Sequence, residues 1–175
     1  MLVLLTPHPD TPSKAISRIE VEITRGAATL ALRYRVFGKL SRLRSPDLER
    51  HGRAEGLWRS TCFEAFVKPD DGEGYLECNF AGHQWATYQF TGYRQGMTEA
   101  VVEPGFIEGG AGWLSSEIEP GRFARPAPYW RVGLSAVIEE VDGVLSYWAL
   151  AHPAGKPDFH HPDSFALTLL PPEPA

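Results

Sequence analysis

Two short stretches hold the residues best suited to chemistry. LWRSTCFEAF places Trp58 and Arg59 ahead of Glu64, and YLECNF alternates Tyr75, Glu77 and Asn79 with Leu76, Cys78 and Phe80. Carboxylates, amides and guanidinium groups hydrogen-bond hydroxyls, while flat aromatic faces stack on C–H surfaces. Together these are the groups by which proteins hold sugars, and five Trp and six Tyr supply the aromatic share. Glu64 sits between Phe63 and Phe66. A carboxylate in so apolar a run needs a partner or an opening, and Arg94 and Arg131 are the candidate partners. On neighbouring strands, Glu64 and Glu77 would also meet the separation of about 5–10 Å that glycoside hydrolysis asks of two carboxyls.

Further candidates lie downstream. In QWATYQF, Trp85 joins the face of Glu77 if the turn at Gly82 has odd length or carries a bulge, and leaves it if the turn is even. TGYRQGM offers Tyr93 and Arg94 at a strand-to-loop boundary, where binding residues gather. In VLSYWAL, Trp148 faces opposite to Tyr147. The segment LAHPAGKPDFHHPDSF adds His152, Lys156, His160 and His161, with Asp158 and Asp163 among them. Its spacing fits no zinc pattern, and adjacent histidines in an extended chain point apart. The triplet HPD occurs twice, at 8–10 and 161–163, each time before a hydroxyl residue. Proline fixes φ there and the Asp side chain is placed to close a turn on the backbone. The segment therefore reads as a rigid loop, with His152, Lys156 and either His160 or His161 available at a rim.

These side chains are positioned by strands. SRIEVEIT sets Ile19, Val21 and Ile23 against Glu20, Glu22 and Thr24, and after Arg25-Gly26 the run ATLALRYRVFG continues the alternation. Period two on both sides of a turn is a hairpin. Further strands are expected at 2–6, 58–68, 74–80, 84–90, 98–103, 113–119, 129–139, 143–151 and 164–170, divided by breaks such as Asp71-Gly72, Gly82-His83 and Asp142-Gly143. In YWRVGLSAVIEE, Trp130, Val132, Leu134, Ala136 and Ile138 form the core-facing set. Only residues 45–54 carry a helix-start signal, Ser45 before Pro46. About eleven short strands with one short helix at most imply an all-β chain, an antiparallel β-sandwich in a single domain over 1–170 with a tail at 171–175.

Composition narrows the function. At 175 residues with 43% hydrophobic and 22% charged residues, the chain is ordinary for a globular domain. A net charge of −5 disfavours nucleic acid as a partner. No apolar run approaches the ~20 residues that span a bilayer, so no membrane partner is expected. MLVLLTPHPD lacks the apolar and basic regions of a signal peptide, which implies a cytoplasmic protein. Cys62 and Cys78 are then expected as buried thiols rather than a bridge.

The stretches LWRSTCFEAFV, YLECNFAGHQWATYQFTGYRQGM and YWALAHPAGKPDFHHPDSFAL, with LTPHPDTP near the start, resemble the bacterial DOMON-like proteins, a group allied to family-nine carbohydrate-binding modules. The chain departs from the group's pattern in a shorter turn after Asn79 and in Cys78, where an aromatic residue is common. The resemblance implies a β-sandwich and non-catalytic binding of a small ligand, a saccharide first, with no cofactor. The ligand-binding set would be Trp58, Arg59, Glu64, Glu77, Asn79, Trp85, Tyr93, Arg94, Trp148, His152, Lys156, His160 and His161. The alternatives are a haem domain for electron transfer, ligated by Met97 and one of His152, His160 or His161, and a glycosidase-like enzyme using Glu64 and Glu77. Calcium held by Asp158 or Asp163 is a further alternative.

Overall fold

The computed structural model describes residues 1–69, 72–123 and 128–172, the Arg122 side chain excepted. Asp71 of the Asp71-Gly72 break and the tail residues 173–175 lie outside the described residues. Within them run thirteen strands: β1 (Leu2–Pro7), β2 (Ile16–Arg25), β3 (Leu30–Gly38), β4 (His51–Arg53), β5 (Cys62–Pro69), β6 (Tyr75–Ala81), β7 (His83–Phe90), β8 (Thr98–Glu99), β9 (Pro104–Gly110), β10 (Trp113–Ile118), β11 (Trp130–Glu139), β12 (Leu145–Ala149) and β13 (Leu167–Leu169). Helical structure among the described residues is limited to 3₁₀ turns of three residues each. None is long and apolar enough to cross a membrane.

The chain is all-β, as its alternation implies, and its strands form one curled, mixed sheet rather than a clear sandwich of two. Eleven strands follow one continuous path, β4-β7-β6-β5-β11-β12-β1-β2-β3-β10-β9, with β8 attached to β7 and β13 to β11. The link is β1. Its residues Leu2 to Leu5 pair with β2, and its next two, Thr6 and Pro7, pair with β12. One strand thus belongs to both halves, and the sheet curls around a shared interior. It is also mixed, because β4 runs parallel to β7.

The two halves meet face to face. Ile19, Val21, Ile23, Leu30, Leu32, Tyr34 and Val36 from one half pack against Phe63, Ala65, Val67, Leu76, Phe80, Val132, Leu134 and Ile138 from the other. Each fully buried aliphatic side chain contributes roughly 1.5–3 kcal/mol. Tyr34 carries its hydroxyl across this interior to donate to the Glu64 carbonyl at 2.6 Å, and its ring lies 5.0 Å from that of Phe63. At the far end of the curl a Cβ on Gly109 of β9 would come within 3.0 Å of the Gly82 carbonyl at the β6–β7 turn. Glycine is what lets those two backbones approach.

A second apolar cluster lies on the outward face of β5, β6 and β7: Cys62, Phe66, Tyr75, Ala86, Tyr88 and Phe90, with Leu57 and Phe165 over them. It is covered by residues 53–59 and by the segment 157–165. That explains why β5 and β6 are buried along nearly their whole length rather than at alternate positions.

Four local expectations change. Residues 45–54 form no helix. Arg44 N–H donates to the Glu139 carbonyl and Ala54 N–H to Trp85, so the segment is stretched along the sheet and ends in β4. The strand expected from 58 begins at Cys62, after a 3₁₀ turn at Leu57–Arg59. The strand expected at 98–103 covers only Thr98–Glu99. β9, in the glycine-rich PGFIEGG, has no counterpart among the expected strands but pairs along the length of β10.

Candidate functional site

The register at Gly82 decides which side chains share a face. Ala81 pairs with Gln84 and Phe80 with Trp85 across the two-residue turn Gly82-His83, so the turn is even. Glu77 therefore stands opposite Tyr88, while Trp85 turns to the other face and packs on the inner core. On the next strand pair Glu64 stands opposite Asn79 and Ser135. Glu64 and Glu77 are thus diagonal neighbours on the covered outward face, where such positions have Cβ atoms about 7–8 Å apart or somewhat less.

The two carboxyls open on a cavity of about 480 Å³. Its walls are Tyr88 and Phe90 from β7, Val137 and Tyr147 from β11 and β12, Trp58 from the 3₁₀ turn, Arg94 and Met97 from the loop after β7, and Pro157, Phe159 and His160 from the C-terminal segment. Glu64 and Glu77 are nevertheless only 3% and 6% exposed. Ser135 Oγ donates to Glu64 Oε2 at 2.9 Å, and Asn79 Nδ2 donates to Glu77 Oε1 at 2.8 Å. Burial, and then the charge of Glu77, push the Glu64 carboxyl up to about 8 against the Ser135 hydrogen bond. Burial pushes Glu77 up to about 7, opposed by the Asn79 amide and by Arg94. Two acids this close and this dry resist double ionisation, and near neutral pH the pair retains a proton.

His160 lies beside them. Its Nδ1 is 2.8 Å from the Tyr75 hydroxyl and its Nε2 is 3.9 Å from Glu77 Oε2. Burial, reinforced by Arg94, pushes the imidazole down to about 4, so at neutral pH the ring is uncharged and its approach to Glu77 is a contact rather than an ion pair. Asp158 organises the rim. It accepts from Arg94 Nη2 at 2.7 Å, from the Tyr93 hydroxyl and from the His160 amide. Burial alone would raise its carboxyl, but the hydrogen bonds from Tyr93 and Arg94 outweigh that and hold it below the usual range. Arg94 is the one non-glycine residue with a left-handed backbone (φ 53°) among those described, and its amide donates to the Tyr75 hydroxyl at 3.3 Å.

Of the thirteen expected ligand-binding residues, Trp58, Glu64, Glu77, Arg94 and His160 line the cavity, and Tyr93 braces its rim through Asp158. Asn79 is sealed beneath it, holding Glu77. Trp148 is a core residue, with its indole N–H on Ser146 at 3.0 Å, because even strand alternation turns it inward and Tyr147 outward. Trp85 is excluded by the register. Arg59 and Lys156 are exposed and lie off the cavity wall. His152 packs instead on His8, with Nε2 against the Thr6 carbonyl at 2.8 Å. His161 stands beyond the rim against Tyr93. Arg131, a candidate partner of Glu64, donates to the Phe165 carbonyl instead.

The repeated HPD triplet does shape turns, through the histidine rather than the aspartate. His8 Nδ1 accepts from Asp10 N–H and His161 Nδ1 from Asp163 N–H, each at 3.2 Å. With Nδ1 so engaged, His8 carries its proton on Nε2 and donates to the Gly155 carbonyl at 2.9 Å. The first copy thereby ties down the loop that closes the cavity. Tyr88, Phe90, Tyr147 and Phe159 were not among the expected residues. Once the register at Gly82 is known, alternation alone places Tyr88 opposite Glu77.

No family model matches the sequence, and no curated protein matches it. A solved structure does. A candidate carbohydrate-binding protein from Bacteroides uniformis ATCC 8492, determined at 2.70 Å resolution, superposes with a TM-score of 0.69 at 16% identity, over 98% of this chain and 86% of its own. The likeness is one of fold.

Proposed function

We propose that this chain is a non-catalytic module that binds a small saccharide-like ligand in the cavity over Glu64 and Glu77. One observation carries the reading: two buried acids and the aromatic residues Trp58, Tyr88, Tyr147 and Phe159 border a single open cavity of about 480 Å³, within the range of small-molecule sites. The acids supply hydrogen bonds for hydroxyls and the aromatic residues supply apolar surface. The fold shared with a candidate carbohydrate-binding protein and the DOMON-like motifs support the same reading.

The haem alternative fits these residues poorly. The two nitrogens of His160 face Tyr75 and Glu77, His152 turns to Thr6, and Met97 is an exposed rim residue. Calcium at Asp158 would have to displace Arg94 and Tyr93. A glycosidase-like role has one observation behind it, the diagonal pair of acids on one face. An aryl-glycoside assay separates the two readings: the binding module shows no turnover.

Tryptophan-fluorescence titration with mono- and disaccharides tests the proposal, since Trp58 stands on the cavity wall. Saturable quenching is expected. Trp58→Ala should weaken binding by roughly tenfold, the loss of one aromatic contact worth about 1.4 kcal/mol. Absence of any response across the saccharide panel would remove the reading.

A further inference from the structure

The cavity floor has a surplus of hydrogen-bond acceptors. Glu64 receives one side-chain donor, Ser135, and Glu77 receives one, Asn79. The amide oxygen of Asn79, opposite Glu64 and sealed beneath the floor, has no hydrogen-bond partner. Arg94, the cation on the cavity wall, is engaged by Asp158 at 2.7 Å, and His160 is neutral. Buried acceptors without donors are costly, and a buried carboxylate that no cation contacts directly more so; the one proton that the pair retains relieves only part of this. A neutral hydroxyl brings one donor together with its own lone pairs. A primary ammonium brings three N–H donors and the missing charge. The surrounding Trp58, Tyr88, Phe90, Tyr147 and Phe159 favour the same ligand, because aromatic rings attract cations through their quadrupole.

We propose that the cavity selects a ligand bearing a protonated amine, an amino sugar in preference to its neutral parent, with the ammonium seated at Glu64 and Glu77. This rests on the saccharide reading for the rest of the ligand but not for the ammonium. It has a thermodynamic consequence: a cation seated at the pair favours the ionised carboxylates, so part of the proton that the empty pair retains is released on binding. The other ionisable groups facing the pair do not interfere near pH 7. Tyr34, Cys62 and Cys78 are buried and pushed up, as are Tyr75 and Tyr88, while His160 is pushed down and Arg94 stays charged.

Isothermal titration of the full chain at pH 7, in two buffers of different ionisation heat, tests the inference with glucosamine against glucose, galactosamine against galactose, and ethanolamine as an amine without a sugar. The hexosamine is expected to bind roughly tenfold more tightly than its hexose, a charge-assisted preference, with proton release visible as a buffer-dependent heat. Glu64→Gln and Glu77→Gln keep shape while removing charge, and each should abolish that preference in a protein whose circular dichroism melt remains cooperative. Equal affinity for hexosamine and hexose would overturn the amine inference and leave the saccharide reading standing. Binding of ethanolamine alone would keep the inference and remove the saccharide. No binding by any of the five would remove both, and binding preferences unchanged in both Gln variants would overturn the assignment to this pair.

Discussion

The outward faces of the two halves of the curled sheet are built from similar residues and come to opposite ends. On β2 and β3 the outward acids are Glu20 and Glu22, matched by Arg18 at 3.0 Å and by Arg35 at 3.5 and 2.7 Å, with solvent beyond. On β5 and β6 the outward acids are Glu64 and Glu77, almost fully buried and matched by neutral donors. Both sets obey the same period of two. What differs is the cover. Nothing among the described residues lies over Leu2 and Leu4, which stay more than half exposed, whereas His160 and Phe165 descend on β5 and β6. A glutamate becomes a surface charge or a proton-retaining site according to what the distant chain lays over its strand.

Phe66→Ala removes a ring at the centre of the covered face and should cost about 3–5 kcal/mol, like any large core truncation. Leu4→Ala on the open face should stay within about 0.5 kcal/mol. Denaturant melts of both variants check this, and similar losses would mean that the two faces are not different in kind.

Next in size is the dependence of stability on pH. The folded carboxyls of Glu64 and Glu77 lie above their ordinary value, so between about 4.5 and about 8 the folded chain holds protons that the unfolded chain has released. Stability from this source is full below that window and falls as pH rises through it. His160, pushed down to about 4, works in the opposite sense between about 4 and 6.5, where the unfolded imidazole binds a proton and the folded one does not. Above pH 6.5 that opposing contribution is gone. Melting temperature should therefore fall from pH 6.5 to 8, and Glu64→Gln should flatten that slope and raise stability at pH 8. A flat wild-type profile would mean that the acids are matched after all.

The smallest effect belongs to the open face. Arg35→Ala should cost less than about 1 kcal/mol, with the difference shrinking in high salt, because exposed ion pairs gain little over solvation. A loss as large as that of Phe66→Ala would contradict the assignment of that face to solvent.

Much of this was legible along the chain. Alternation locates β2, β3, β6, β7 and β11, and marks Trp130, Val132, Leu134, Ala136 and Ile138 as core. It also put Glu77 and Asn79 on one face. It missed β9, where Pro104, Gly105, Gly109 and Gly110 mask a strand held by its pairing with β10, and it read a helix start at Ser45 where β4 approaches. The candidate site was half legible. Glu64 stands out because its apolar neighbours demand an explanation, while Trp148 and Trp85 have a suitable type but point to the inner core. Tyr88 and Phe159 carry no local signal, since an aromatic residue in a strand or loop reads the same whether it lines a cavity or fills a core.

By itself the sequence determined an all-β chain and the strands that carry Glu64 and Glu77, because periodicity and composition are local properties. Only the tertiary structure decided that β1 joins both halves into one curled sheet, that the turn at Gly82 is even, and that residues 157–165 close over the acids. Those outcomes depend on contacts between residues far apart along the chain. The shift of a carboxyl belongs with them, because it is set by whichever groups exclude water from it.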